Sequence, residues 1–150
     1  SFKLPAGLQY LIGHNVDFDW AVAGSPDVRR ICTLSLARAV WPTLEAHNQS
    51  ALLYYLDRKN ARERLKNAHS AGADIKICAT ILEHICLKLE IDSLEALWQK
   101  SEESRIPTHM PFGKHKGMPI AEVPKDYVRW LLNQPDVDPF LRRALQAAPR

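Results

Sequence analysis

The chain has 150 residues, of which 46% are hydrophobic and 25% charged. That is the composition of a globular domain large enough to bury a core, and it excludes bulk disorder. A net charge of +3 does not by itself indicate nucleic acid, and the longest apolar runs, such as Ala51 to Leu56, are far shorter than the roughly 20 residues that cross a bilayer.

Ser1-Phe2-Lys3-Leu4-Pro5 is not followed by the apolar core of a signal peptide. Cys32, Cys78 and Cys86 form no Cys-x-x-Cys pair, so a reduced, cytoplasmic setting without a membrane partner is expected, with all three as packing residues. The scattered cysteines and six histidines show no paired zinc-ligand spacing.

Tyr10-Leu11-Ile12-Gly13 reads as a short buried strand followed by a loop carrying His14 and Asn15. Asp17 is placed to cap a helix that starts near Phe18 and stops before Gly24-Ser25-Pro26. Ile31-Cys32-Thr33-Leu34 is a second short strand, and Ser35 to Val40 a short helix halted by Trp41-Pro42. Asn48 or Ser50 caps the next helix, which carries Leu52, Leu53, Tyr55 and Leu56. The charged run Arg58 to Asn67 fits a solvated loop or an exposed helix. Ala73 to Leu89 is the clearest amphipathic helix, with Ile77, Ile81, Leu82, Ile85 and Leu89 at helical spacing. Leu94, Leu97 and Trp98 form a further short helix. The polar stretch 101–109, with Pro107, reads as a linker between residues 1–100 and a small accessory region, 110–150. In that region two glycines flank the basic turn Lys114-His115-Lys116, as in a small hairpin. Tyr127, Trp130 and Leu131 follow at helical spacing, and Asp138-Pro139 opens the last helix.

Two strands joined by a crossover do not make a stable sheet, since faces and edges stay uncovered. The expectation is that further strands precede Leu8.

Two local patterns carry chemistry. His14-Asn15-Val16-Asp17-Phe18-Asp19 leaves the end of a buried strand, where open α/β sheets bind ligands. About fifty residues on, His69-Ser70-Ala71-Gly72-Ala73-Asp74 straddles the start of the amphipathic helix, with His on the loop and Asp on the first turn. Each acidic residue taken alone is better explained by a helix start that favours negative charge.

The ordered set, an Asp on a helix start after a strand and then His-x-x-x-x-Asp, resembles the second and third motifs of the DnaQ-like 3′–5′ exonucleases of the DEDDh type. The resemblance implies an α/β fold, the C-terminal part of an RNase H-like exonuclease fold, with a truncated mixed sheet flanked by helices and a small C-terminal hairpin and helix tail. It implies hydrolysis of DNA from the 3′ end of a single strand, with two Mg²⁺ or Mn²⁺ ions in the intact enzyme. Asp74 and Asp19 would be metal-site carboxylates, Asp74 a direct ligand and Asp19 partly through water. His69 would be the general base. His14, Asn15 and Phe18 would lie near the substrate, although Asn15 serves equally well as a loop-holding residue. The family's first motif, Asp-x-Glu on an opening strand, occurs nowhere in the chain. The chain thus corresponds to the part of the fold from just before the fourth strand onward, and nuclease activity of residues 1–150 alone is not expected.

Lys114 and Lys116 are candidates for phosphate contact. Phe112, Tyr127 and Trp130 read first as the tail's own small core, with base stacking as the alternative. The rival to the enzyme reading is a non-catalytic nucleic-acid-binding or interaction module, and within the enzyme reading RNA is the other possible substrate. Oligomeric state is not encoded in these patterns.

Overall fold

The computed structural model describes residues 4–149; the opening tripeptide, read above for a leader, lies outside them. The chain divides into two compact units, residues 1–104 and 105–150.

In the first unit, β1 (Tyr10–Gly13), α1 (Val16–Val22) and β2 (Arg29–Cys32) come first. They are followed by α2 (Thr33–Val40), α3 (Gln49–Leu56), α4 (Arg58–Arg64), a 3-10 turn at Leu65–Asn67, α5 (Ala71–Leu89) and α6 (Leu94–Ser104). The strands are parallel, with Tyr10 opposite Arg29 and Gly13 opposite Cys32. Among the described residues β1 has no strand on its other edge. Ile77, Ile81 and Ile85 place the apolar stripe of α5 in a core shared with Ile31, Leu36, Leu52 and Leu53.

Three local readings change and one is settled. Asp17 does not cap α1: the helix starts at Val16, two residues earlier than expected, after Asn15 in a left-handed conformation (φ 71°) that gives no side-chain cap. Asp17 instead pairs with Arg30 at 2.7 Å, and that guanidinium lies 4.2 Å over the Trp20 ring. The second strand ends at Cys32, and Thr33 and Leu34 open α2, whose Leu36 and Ala37 are fully buried. Burial of the α2 face outweighs the strand preference of the Ile-Cys-Thr run. The charged run 58–67 takes the second of its two expected forms, an exposed helix, α4, with its 3-10 turn. There Arg64 is a tie, donating to Asp57 at 3.1 Å and to the Thr80 hydroxyl on α5 at 2.7 Å. Finally, α6 runs on to Ser104, into the stretch whose polarity resembles a linker. Ser101 is fully buried there, and its Oγ accepts the Cys32 N–H at 2.9 Å.

In the second unit an antiparallel bridge joins His109 and Pro119. The turn between them closes through Met110 N–H to Met118 O and Gly117 N–H to Met110 O, both at 2.9 Å. Gly113 is in the left-handed region (φ 77°), and a Cβ there would meet the Tyr127 hydroxyl at 2.7 Å. Helices α7 (Lys125–Leu132) and α8 (Pro139–Ala147) complete the unit. Asp138 accepts from the Phe140 and Leu141 amides, as its place before Pro139 predicts. The core is aliphatic: Met110, Ile120, Val123, Val128, Leu131, Leu141 and Leu145. This corrects the reading of Phe112, Tyr127 and Trp130 as the core. Phe112 is 46% and Trp130 55% exposed, and Tyr127 only packs against the cluster. No described helix is long and apolar enough to cross a membrane.

Candidate functional site

A cleft of about 480 Å³ opens at the carboxyl end of β1, lined by Ile12, Gly13, His14, Asp19, Gln49, Asp74, Ile75, Cys78, Ala79 and Leu82. It joins the two sequence patterns in one place. Asp19 comes from the first turns of α1 and Asp74 from the first turn of α5.

The local sequence explains why both carboxylates face the cleft. Asp17 and Asp19 are two apart on a helix, so they point to different sides. Asp17 goes to Arg30, while an Asp19 oxygen lies so close over Gly13 that a Cβ there would sit 2.5 Å from it. Gly13 is thus the absence of a side chain under a carboxylate. Asp74 is oriented from behind: its Oδ1 accepts the backbone N–H of His69 at 3.2 Å. His69 takes a positive φ of 75°. Ser70 caps α5 by accepting from the Ala73 amide. The His69 side chain is exposed on this loop and is not part of the cleft wall.

His14 lines the cleft, but both its ring nitrogens are engaged within the protein. Nε2 lies 2.7 Å from the His47 carbonyl, which can only accept, so Nε2 carries the proton. Nδ1 then accepts from the Thr33 hydroxyl at 2.9 Å. The Thr33 oxygen in turn lies 3.7 Å from the Cys78 sulfur, within range of a thiol donor. Burial lowers the His14 pKa, outweighing the support from the His47 carbonyl, and nearby Arg38 lowers it further. Burial likewise raises the Cys78 pKa. A neutral imidazole and a protonated thiol therefore stand behind the carboxylates. Cys32 is buried, as a packing residue should be. Burial opposes its ionisation, but hydrogen bonds to its sulfur from Ser35 and from the Val16 and Asn15 amides outweigh that and lower its pKa.

Asn15 and Phe18 are exposed beside this wall without lining it, and Phe18 is 69% exposed. Gln49, Cys78 and Gly13 were not singled out as site residues. Cys78 was legible, because it lies one helical turn after Asp74 with Leu82 a turn beyond, on the same stripe. Gln49 had no such signal, since only the packing of α3 on α5 brings it there.

The two carboxylates are hard oxygen donors of the kind Mg²⁺ and Mn²⁺ prefer. Among the described residues no group of three or more His, Cys, Asp or Glu side chains is placed to hold a metal ion. The two carboxylates fit such an ion in kind but do not make up a complete ligand set.

A cleft with paired acidic groups at a strand end is the type of site that α/β proteins use for polar ligands. Comparison with known proteins gives it a context. The chain is 29% identical over 145 residues to Exodeoxyribonuclease 10 of Escherichia coli strain K12, covering 93% of this chain and 64% of that protein. The same values hold for Exodeoxyribonuclease 10 of Escherichia coli O6:H1. The chain therefore spans 64% of the length of these curated relatives. A family profile described as "Putative quorum-sensing-regulated virulence factor" matches residues 102–136. No solved structure matches the chain.

Proposed function

We propose that the cleft is part of the active centre of a DnaQ-like 3′–5′ exodeoxyribonuclease of the DEDDh type. The observation that carries this reading is the meeting of Asp19 and Asp74 in one cleft, in a chain similar to Exodeoxyribonuclease 10 over 93% of its length. The open edge of β1 is where a strand bearing the remaining carboxylates would pair in a longer protein.

On this reading Asp74 and Asp19 would hold the divalent ions, which when bound stabilise charge on the attacking and leaving oxygens. The His69 imidazole, on its exposed loop, would act as the general base, a ring nitrogen taking a proton from the attacking water. The water oxygen forms a bond to phosphorus as the P–O3′ bond breaks. The leaving 3′ oxygen takes a proton from solvent, and a 5′-nucleotide is released. His14 cannot shuttle protons without breaking its bonds to Thr33 and His47. Its role is to hold the cleft wall. Phe18, just before Asp19, offers an exposed face for the terminal base.

The test uses the full-length protein with Mg²⁺ and a single strand labelled at either end. A 5′ label should move down a ladder, and a 3′ label should leave at once as a mononucleotide. Internal cuts or loss of the 5′ label first would overturn the reading, and an RNA strand of the same sequence decides the sugar preference.

Gly13→Ala probes the site without replacing a carboxylate. The added methyl must displace the Asp19 carboxylate at 2.5 Å, and it also meets the Val16 Cα at 3.3 Å. Stability should fall by about 1 kcal/mol. Hydrolysis by the full-length protein should fall about a hundredfold, as for a misplaced catalytic group. Urea melts and single-turnover rates separate the two effects.

A further inference from the structure

The chain's positive charge is not spread evenly. Residues 105–150 hold eight Lys and Arg against four Asp and Glu, while residues 1–104 hold twelve against thirteen. The whole excess therefore lies in the second unit, which lacks the cleft.

That unit also presents aromatic surface that its core does not use. A groove of about 540 Å³ is lined by Lys114, His115, Pro124, Asp126, Tyr127 and Trp130. Tyr127 is held from two sides, with the His115 ring edge-on at 4.6 Å and Trp130 tilted at 5.5 Å. The Lys114 ammonium lies 5.4 Å over the Tyr127 ring. The turn that presents Lys114 and Lys116 is fixed, because Gly113 takes a positive φ directly against the Tyr127 hydroxyl and Lys116 N–H closes on Gly113 O at 3.1 Å. His115 Nε2 is shut away from solvent with no hydrogen-bond partner. Trp130 sits on α7 with more than half its surface open, outside the aliphatic cluster.

We propose that residues 105–149 carry a second nucleic-acid site, a groove in which a nucleobase of a single strand stacks on Trp130 beside Tyr127 while Lys114 and Lys116 hold the flanking phosphates. Sequence-tolerant single-strand binding needs these two parts together, a π-face for the base and cations along the backbone. A duplex keeps its bases stacked inside and offers none to such a groove. Asp126 on the groove wall can accept from an exocyclic amino group, although its carboxylate lies 3.7 Å from Arg129. The site deepens the exonuclease reading by giving the substrate strand a holding point, but it does not depend on hydrolysis.

The experiment measures binding of a fluorescein-labelled 12-mer of thymidylate to residues 1–150 by anisotropy, in EDTA, across 50 to 200 mM salt (oligomer length and salt range set on the order of a single-strand site and its usual titration). Trp130→Ala should weaken binding about tenfold, and Trp130→Phe, which keeps a stacking face, should restore most of it. Lys114→Glu with Lys116→Glu should weaken binding and flatten the log–log salt slope by about 1.4, roughly 0.7 per phosphate contact on a single strand. Because Trp130 and both lysines are exposed, the variants should melt like the parent. Affinity and slope unchanged in both variants would overturn the proposal. So would equal affinity for an abasic strand, for heparin or for anionic vesicles, since none of these offers a base. Failure of the exonuclease reading shows separately, as missing end-directed cleavage by the full-length protein with binding by this unit intact.

Discussion

Asp74→Asn in the full-length protein is expected to lower the rate of DNA hydrolysis about a thousandfold while changing stability by less than about 1 kcal/mol. The two effects separate because of what the carboxylate does on each side. Its Oδ1 accepts the His69 amide at 3.2 Å, and an asparagine Oδ1 still accepts it, so the loop and the start of α5 keep their form. The lost charge matters only in the cleft, where a hard anionic oxygen is needed. Residues 1–150 alone bear on the same point. With two carboxylates in the cleft, and no group of three or more metal-binding side chains among the described residues, this chain should leave single-stranded DNA intact in Mg²⁺ or Mn²⁺. Robust digestion by the isolated chain, abolished in His69→Ala, would show that the carboxylates assumed to lie on a preceding strand are not required. A full-length Asp74→Asn protein that keeps its rate would remove the cleft from the reaction altogether.

Ile81→Ala should destabilise the first unit by about 2–5 kcal/mol, the range for deleting a fully buried branched side chain and leaving a cavity. Ile81 is 0% exposed, in the stripe of α5 that α2 and α3 cover. Ser101→Ala tests the same unit by a different mechanism. It removes one oxygen and strands the Cys32 N–H at the end of β2, at a cost of about 1–3 kcal/mol. Amide exchange in α5 and β2 reads both, and a Cys32 amide that stays protected in Ser101→Ala would show that another acceptor takes over. The pair is instructive because the apolar spacing points to Ile81, whereas the polarity around Ser101 suggests a linker.

That contrast runs through the molecule. Where a feature depends on neighbours in sequence, it was legible. The strand at β1, the stripe of α5, a cap at Asn48 rather than at its alternative Ser50 and the Asp138-Pro139 start are all built within one or two turns of chain, although β1 is not the buried strand expected, since Tyr10, Leu11 and Ile12 are only half-buried. Where a feature depends on a partner far along the chain, the local reading went astray. Asp17 has the composition of a cap, but Arg30 across the β1–β2 connection claims it. Thr33 has the composition of a strand residue, but α2 begins there, and its hydroxyl meets His14. The three aromatics of the tail look like a core until eight aliphatic and small residues from four segments fill that place.

The candidate site divides in the same way. Sequence alone determined which side chains were candidates: two carboxylates on helix starts and a histidine one loop before the second, a set whose order resembles the motifs of the DnaQ-like exonucleases. It could not determine their company. Only the folded chain decided that Asp19 lies over the bare backbone of Gly13, that Asp74 is held by the His69 amide, and that His14 is tied up by Thr33 and His47. Those contacts join residues from separate elements, and they exist only once burial of Ile31, Leu36, Leu52 and Ile81 has brought the elements together. Residue type fixes what a group can donate or accept, while packing fixes which groups it finds within hydrogen-bond reach.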